Sequence, residues 1–235
     1  MRTGRRAAIV LLATLLAAAG TAKLGFWQLD RAAQKVAAAA AVEERGRLPA
    51  LSSADLQPDE TQLQRRVQLR GRWLPDTTAY LDNRPMDGRV GFFVVTPLQL
   101  EGRPEAVLVQ RGWAPRHGLD RIRLPAVSTP IEGVVEVSGR LTASPSRLYE
   151  FSASAAGPIR QNLRVADVAA EIKAPLLPLT VLQVGTASEG LLRNWPAADL
   201  GLQKHYGYAF QWFALCALIL GLYVWFQLVQ PRRRP

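Results

Sequence analysis

The stretch HYGYAFQWFALCALILGLYVWFQLVQPRRRP, from His205 to Pro235, decides the overall plan of the chain. Its part from Tyr208 to Val229 is nearly free of charge and almost wholly apolar. At about 1.5 Å per residue, roughly 22 helical residues extend about 33 Å, enough to cross the hydrocarbon core of a bilayer. Aromatic side chains near both ends of the run suit the two membrane interfaces. We therefore predict a transmembrane helix over residues 206–229 and a basic tail over residues 230–235.

A second apolar run lies near the N-terminus, after a tail (residues 1–6) that contains three arginines. We predict a transmembrane helix over residues 7–27, in which the one charged side chain, Lys23, extends its ammonium group towards the interface. The alternative is a cleaved signal peptide, because a basic start, a short apolar core and small residues over 17–22 are typical of one. We favour the uncleaved helix, because the helical pattern continues into an alanine-rich, charged stretch over residues 28–48.

The net charge of +10 is concentrated at the two ends of the chain. Six arginines lie on the terminal tails, beside the apolar runs, which is the distribution of the positive-inside rule and disfavours a nucleic-acid-binding face. We therefore expect both termini in the cytoplasm and the main domain outside it. No Ser-rich, acid-poor segment precedes the first run, so a bacterial plasma membrane fits better than an organelle.

The segment between the spans, residues 49–203, is predicted to form one β-rich extracytoplasmic domain. Residues 65–74 alternate apolar and polar side chains, as a half-buried strand does. Two further strands, over 77–83 and 89–97, are separated by the turn dipeptide Asp87-Gly88 and predict a β-hairpin. Other segments predict strands over 106–113, 133–142 and 177–184, loops over 116–130 and 144–157, and a short helix over 162–172.

The fold class that follows is an α+β membrane protein. Two transmembrane helices flank one antiparallel β-rich extracytoplasmic domain, which is a small barrel or sandwich with a short helix.

Few residues of the kind that carry catalysis are present. The chain has one cysteine, Cys216, and two histidines, His117 and His205. His117 lies in the loop PRHGLDR without a nucleophile elbow, so we interpret it as an exposed loop residue. Motifs for nucleotide binding and for covalent haem attachment are absent, and the acidic residues are scattered, so we expect no enzyme activity and no carboxylate metal site.

Three arginines in or beside predicted strands, Arg84, Arg89 and Arg111, have two interpretations. They cap turns or pair with Asp82 and Asp87 at the rim of the domain. Alternatively, they form a surface for an anionic partner, because guanidinium groups suit carboxylates.

His205, at the mouth of the second span, also has two interpretations. An amphipathic interfacial histidine beside Tyr206 and Tyr208 would sit comfortably at the level of the lipid headgroups. A neutral imidazole in the same position could instead be an axial ligand of haem iron, with Tyr208 and Trp212 as aromatic neighbours.

Four stretches together resemble the Surfeit locus protein 1 family, assembly factors for haem-copper cytochrome c oxidase. They are GFWQLDRAAQK, LDNRPMDGRVGFFVVTPL, AVLVQRGWAPR and HYGYAFQWFALCALILGLYVWF. The resemblance implies a non-enzymatic role in bringing haem a to oxidase subunit I, or in stabilising that subunit. The histidine that opens the second span in bacterial members matches His205, which the resemblance therefore implies as a haem ligand.

Two hypotheses remain from the sequence. The first is a membrane chaperone that binds haem a through His205 and works with oxidase subunit I, with haem a synthase as a further candidate partner. The second is a cofactor-free scaffold whose β domain holds an oxidase subunit during assembly. In both, the remaining partner is membrane lipid, and no nucleic acid or metal other than haem iron is expected.

Overall fold

The computed structural model describes residues 2–118, 120, 122–143, 145, 157–195 and 200–230. The chain divides into two compact units. The first, here called the helical unit, comprises Met1–Ala41 and Ala198–Pro235, and the second, the β domain, comprises Val42–Ala197.

The helical unit is built from two long apolar helices. Helix α1 runs from Arg2 to Arg47 without a break, and helix α3 runs from Leu202 to Tyr223 and continues as a π-helix over Val224–Val229. Both are long and apolar enough to cross a membrane, and few of their apolar side chains are buried within the protein. Exposed apolar surface on this scale suits a lipid solvent, so the prediction of a membrane protein with two candidate spans agrees with the structure.

Close contacts join α1 to α3 along one face of each helix. The Phe213 ring lies so near Gly25 that a Cβ atom there would be 2.7 Å from it, and it makes an edge-to-face contact with Phe26 at 5.1 Å between ring centroids. Deeper along the pair, Cys216 Sγ lies 3.4 Å from the carbonyl oxygen of Ala18. Residues that come later in α3 contact residues that come earlier in α1, so the two helices are antiparallel. Small residues on α1 permit this approach, as they do between membrane helices generally.

The β domain is a closed five-stranded barrel with two additional strands. The order of the barrel strands is β1-β5-β7-β4-β3, and the pairing of β1 with β3 closes it, while β2 and β6 extend the sheet beyond β3. The strands are β1 (Arg66–Trp73), β2 (Ala79–Met86), β3 (Arg89–Leu100), β4 (Ala106–Pro115), β5 (Val135–Thr142), β6 (Ile159–Arg160) and β7 (Leu176–Gln183). A short helix, α2 (Val165–Ile172), precedes β7.

Side-chain periodicity explains which strands line which core. Val107 and Val109 point into the barrel, whereas Leu108 points to a second core that also holds Val168 of α2. Strand β4 is therefore buried on both faces, which accounts for its almost continuous apolar sequence. Strand β1 has one solvated face and alternates strictly between exposed and buried positions.

Closure of the barrel depends on Gly71, which lies opposite Leu100 in the β1–β3 pairing. A Cβ atom at residue 71 would be 2.2 Å from the carbonyl oxygen of Gln99. No side chain fits in that space, so the close approach of the two strands requires glycine here.

The predicted fold class is confirmed, with a barrel rather than a sandwich as the outcome. The hairpin, its turn at Asp87-Gly88, the short helix and each of the predicted strands are present, with ends displaced by a few residues. The two-residue strand β6 was not predicted, and two pairings are parallel, β4 with β7 and β2 with β6. Most of the predicted loop over 144–157 lies outside the described residues.

Candidate functional site: the His205–Gln28 pair

His205 lies in the first turn of α3 and is half-buried against α1. Its Nδ1 atom is 2.8 Å from Oε1 of Gln28, which α1 supplies. The histidine therefore has a hydrogen-bond partner that holds its ring in one orientation, a partner that the sequence analysis did not single out.

The identity of that partner determines the chemistry of the ring. An amide oxygen only accepts hydrogen bonds, so Gln28 Oε1 requires the proton of His205 to be on Nδ1. In the neutral ring Nε2 then carries a lone pair. A metal-binding histidine is typically oriented in this way, by a hydrogen bond from its other ring nitrogen.

Cationic groups lie on α1 one and two turns beyond Gln28. The guanidinium of Arg31 lies over the Trp27 ring, 5.7 Å from its centroid, and donates to Gln34 at 3.0 Å. Lys35 Nζ donates to the carbonyl oxygen of Leu200 at 2.9 Å. Residues 28, 31 and 35 are three and four positions apart, so they lie along one side of the helix. The positive charges of residues 31 and 35 therefore lie on the same side of α1 as the residue that binds His205.

The second histidine, His117, belongs to the β domain. It is exposed in the loop after β4, as predicted, and its Nδ1 accepts a hydrogen bond from the backbone N–H of Asp120 at 3.1 Å. Cys216 is partly buried against α1, which agrees with its interpretation as a small packing residue. Within the part of the chain that the structure describes, no group of three or more His, Cys, Asp or Glu side chains could hold a metal ion.

The interpretation of Arg84 and Arg111 as a surface for an anionic partner is wrong. Both side chains are almost completely buried, at 2% and 0% exposure. Arg84 Nη2 donates to the carbonyl oxygen of Gln161 at 2.7 Å, and burial lowers its pKa while the charge of Asp82 partly offsets this effect. Both guanidinium groups are therefore inaccessible to an anionic partner from outside the protein.

The third arginine, Arg89, has its guanidinium over the ring of Trp113, 5.2 Å from the centroid. The carboxylates predicted to pair with these arginines have other partners as well: Asp82 pairs with Arg116, and Asp87 accepts a hydrogen bond from Asn194.

A buried ion-pair cluster was missed by sequence reasoning. Glu189 Oε2 lies 3.0 Å from Arg111 Nη2 and 3.3 Å from Arg193 Nη2, so one carboxylate serves two guanidinium groups. Burial lowers the pKa of Arg193, Glu189 raises it and Arg111 lowers it further. The cluster attaches residues 186–193 to β4, and nothing in the local sequence of Arg111 indicates a partner so far along the chain.

The fold and the candidate site define a class: a membrane protein with a small β-barrel domain between two candidate spanning helices and a hydrogen-bonded histidine on the helix pair. The model of the SURF1 family matches residues 15–217. The chain belongs to the SURF1 family.

Curated relatives agree with this assignment. A SURF1-like protein of Rickettsia conorii is 24% identical over 207 residues, which is 86% of this chain and 84% of the relative. Those of Rickettsia bellii and Rickettsia felis are 35% and 33% identical over 92 residues, which is 38% of this chain. The chain covers 37% and 39% of the length of those last two relatives.

Proposed function

We propose that this protein is an assembly factor for haem-copper cytochrome c oxidase that binds haem a through His205 and aids its delivery to subunit I. Members of the SURF1 family are generally cytochrome oxidase assembly factors rather than enzymes, which supports the assembly role. The observation that carries the haem proposal is the 2.8 Å hydrogen bond between His205 Nδ1 and Gln28 Oε1.

The residues present fit haem on three counts. The Nε2 atom of His205 keeps its lone pair because Gln28 holds the proton on Nδ1. Exposed apolar and aromatic side chains surround this end of the helices, with Tyr208 and Trp27 about half exposed, and suit a flat, apolar macrocycle. The charges of Arg31 and Lys35 suit carboxylate groups at its edge.

Haem, if bound, would supply an iron that a neutral imidazole nitrogen can ligate. The chain's own contribution is binding and orientation. His205 would be the ligand, Gln28 would hold its tautomer and ring plane, and α1 would contribute the second wall of the site. No proton transfer or bond cleavage by protein groups is required, and this agrees with a carrier that releases its cargo unchanged.

We also propose that the protein lies in a bacterial plasma membrane with both termini in the cytoplasm. The arginines of the two tails support this orientation, and the antiparallel contacts of α1 and α3 are compatible with termini on one side. A reporter that is active only in the cytoplasm, fused after Pro235, should be active. Activity of a periplasm-specific reporter at that position instead would contradict the orientation.

The haem proposal is tested by purifying the full chain from cells that make haem a and recording its visible spectrum. The wild type should carry haem a, and His205→Ala should lose most of it or show a changed axial-ligand spectrum. His117→Ala is the matched control, since it removes the other histidine from an exposed loop, and should retain the wild-type spectrum.

Three outcomes would test the scaffold alternative, the identity of the ligand and the presence of a further partner. A colourless wild-type preparation that still co-purifies with subunit I would favour the cofactor-free scaffold. An unchanged spectrum in His205→Ala would reject His205 as the ligand while haem binding itself remained. Co-purification with haem a synthase would identify it as a further partner.

A further inference from the structure

An open pocket of about 540 Å³ lies on the β domain, where β4 ends and the following loop begins. Its lining consists of residues 114–118, residues 123–126 and Gly190. This volume is within the range of ordinary small-molecule sites, about 300–1,000 Å³. The pocket takes no part in the haem proposal, which concerns the helical unit.

The polar part of the lining is cationic. It contains Arg116, Arg123 and His117, and no carboxylate. Within the described part of the chain, the Arg123 guanidinium makes no ion pair or hydrogen bond, so its charge is available to a ligand. Asp82 partly compensates the charge of Arg116.

His117 supplies a second donor in the same lining. His117 Nδ1 accepts from the backbone of Asp120, so the neutral imidazole carries its proton on Nε2, where it can donate. The Arg116 guanidinium lies over the Phe92 ring, 5.8 Å from its centroid, and adds its positive charge to the lining.

The rest of the lining is apolar, with Leu124, Pro125, Ala126, Ala114 and Pro115. A pocket that combines several hydrogen-bond donors with an apolar wall suits an anion that has an organic body. A phosphate group has several acceptor oxygens arranged tetrahedrally, so it can accept hydrogen bonds from donors that approach from different directions, such as Arg123 and His117. A carboxylate has two oxygens in one plane.

We propose that this pocket binds a phosphate group, carried either by a phospholipid headgroup or by a small soluble phosphate. Arg123 is the residue on which recognition depends most, because its charge has no partner among the residues that the structure describes.

The test measures hydrogen exchange of the peptides that cover residues 114–126 in the full chain, purified in a non-ionic detergent. A ligand present at ten times its Kd should slow the amide hydrogen exchange of these peptides about tenfold. The two ligands tested are inorganic phosphate and dioctanoyl phosphatidylglycerol. Dioctanoylglycerol is the control for the lipid without its phosphate, and acetate at equal ionic strength is the control for a carboxylate. Protection by both phosphates identifies the phosphate group as sufficient, and protection by the phospholipid alone identifies a lipid headgroup as the source.

Matched variants then assign the effect to the pocket. Arg123→Gln should weaken binding about tenfold, the loss of about 1.4 kcal/mol expected for one charge-assisted hydrogen bond, and Arg123→Lys should restore part of it. Arg72→Gln removes an exposed charge from β1 of the same domain, outside the pocket, and should leave binding unchanged. Both positions are exposed, so the three variants should fold.

Three outcomes would overturn the proposal. They are no protection by either phosphate, equal protection by acetate or by dioctanoylglycerol, and equal loss of binding in Arg123→Gln and Arg72→Gln. The haem spectrum of the same preparations reports separately on the His205 proposal.

Discussion

Gln28 and His205 are 177 positions apart in the chain, yet Oε1 of the first lies 2.8 Å from Nδ1 of the second. The contact joins the two helices at the end where α3 begins and gives the histidine a defined tautomer. It therefore connects the packing of the candidate spans with the chemistry proposed for the site.

The first prediction concerns Gln28. Replacing it with leucine should weaken haem binding by about 10- to 100-fold, because the loss of an outer hydrogen bond frees both the ring orientation and the tautomer of a ligating histidine. The measurement is a visible-absorption titration of the purified full chain with haem a. Gln68→Leu is the control, since it makes the same substitution at an exposed position of β1 in the β domain. Equal affinities for Gln28→Leu and the wild type would show that Gln28 does not position the ligand.

The second prediction concerns the packing of the helices at Gly25. Valine at this position would drive its Cβ to within 2.7 Å of the Phe213 ring and force the helices apart. Cys216, the one cysteine of the chain, is partly buried against α1 and reports on that separation. Labelling of Cys216 by a membrane-permeant maleimide should become about tenfold faster, as expected if overpacking costs about 1.4 kcal/mol.

The control for this experiment is Gly20→Val, because a Cβ atom at residue 20 meets nothing within 4 Å. Both variants replace glycine by valine on α1, so a difference in the labelling rate of Cys216 between them measures the effect of the contact with Phe213. Identical labelling rates in the two variants would be inconsistent with the packing described.

The third prediction concerns the buried cluster around Glu189. Glu189→Gln should lower the free energy of unfolding of the β domain by about 2–3 kcal/mol, because Arg111, fully buried, loses the carboxylate that compensates its charge. Denaturant unfolding of the full chain, followed by tryptophan fluorescence, measures the change. Glu136→Gln is the control, since its pair with Arg70 is exposed on both sides and should contribute about 1 kcal/mol at most. A Glu189→Gln variant as stable as Glu136→Gln would show that the cluster is not stabilising.

The fourth prediction concerns pH. The pKa of Glu105 is lowered, first by a hydrogen bond from Arg103 and then by one from its own backbone N–H, with the charge of Arg103 adding to the effect. Because the folded pKa is below the unfolded value, the stabilisation is present above pH about 4.5 and is lost as the pH falls through the folded pKa.

Thermal unfolding of the wild type and of Glu105→Gln tests this prediction. The variant should unfold at a lower temperature near pH about 6.5, and the difference should shrink as the pH falls well below about 4. Glu132→Gln serves as the control, because Glu132 is exposed and makes no ion pair among the described residues. A difference between the wild type and Glu105→Gln that grew with falling pH would have the wrong sign.

Local patterns in the sequence were sufficient for most of the secondary structure. The strict alternation of β1 predicts a strand, because a strand with one solvated face has a side-chain period of two. The Asp87-Gly88 dipeptide predicts the hairpin turn, because a tight hairpin requires residues that tolerate positive φ. The two-residue strand β6 has too few positions for any period to be visible. Parallel pairing of β4 with β7 was not predictable either, because both are apolar runs and periodicity does not encode direction.

What the sequence by itself determined is the plan: two apolar helices of bilayer length around a β-rich domain, and a histidine at the mouth of the second helix. These follow from composition and period, which act over neighbouring residues. Only the tertiary structure decided that the barrel closes through Gly71, that Arg111 and Arg84 face inwards, and that Gln28 meets His205. Each of these features depends on residues that are distant in the chain. The packing of the whole fold brings them together, so no local sequence pattern predicts them.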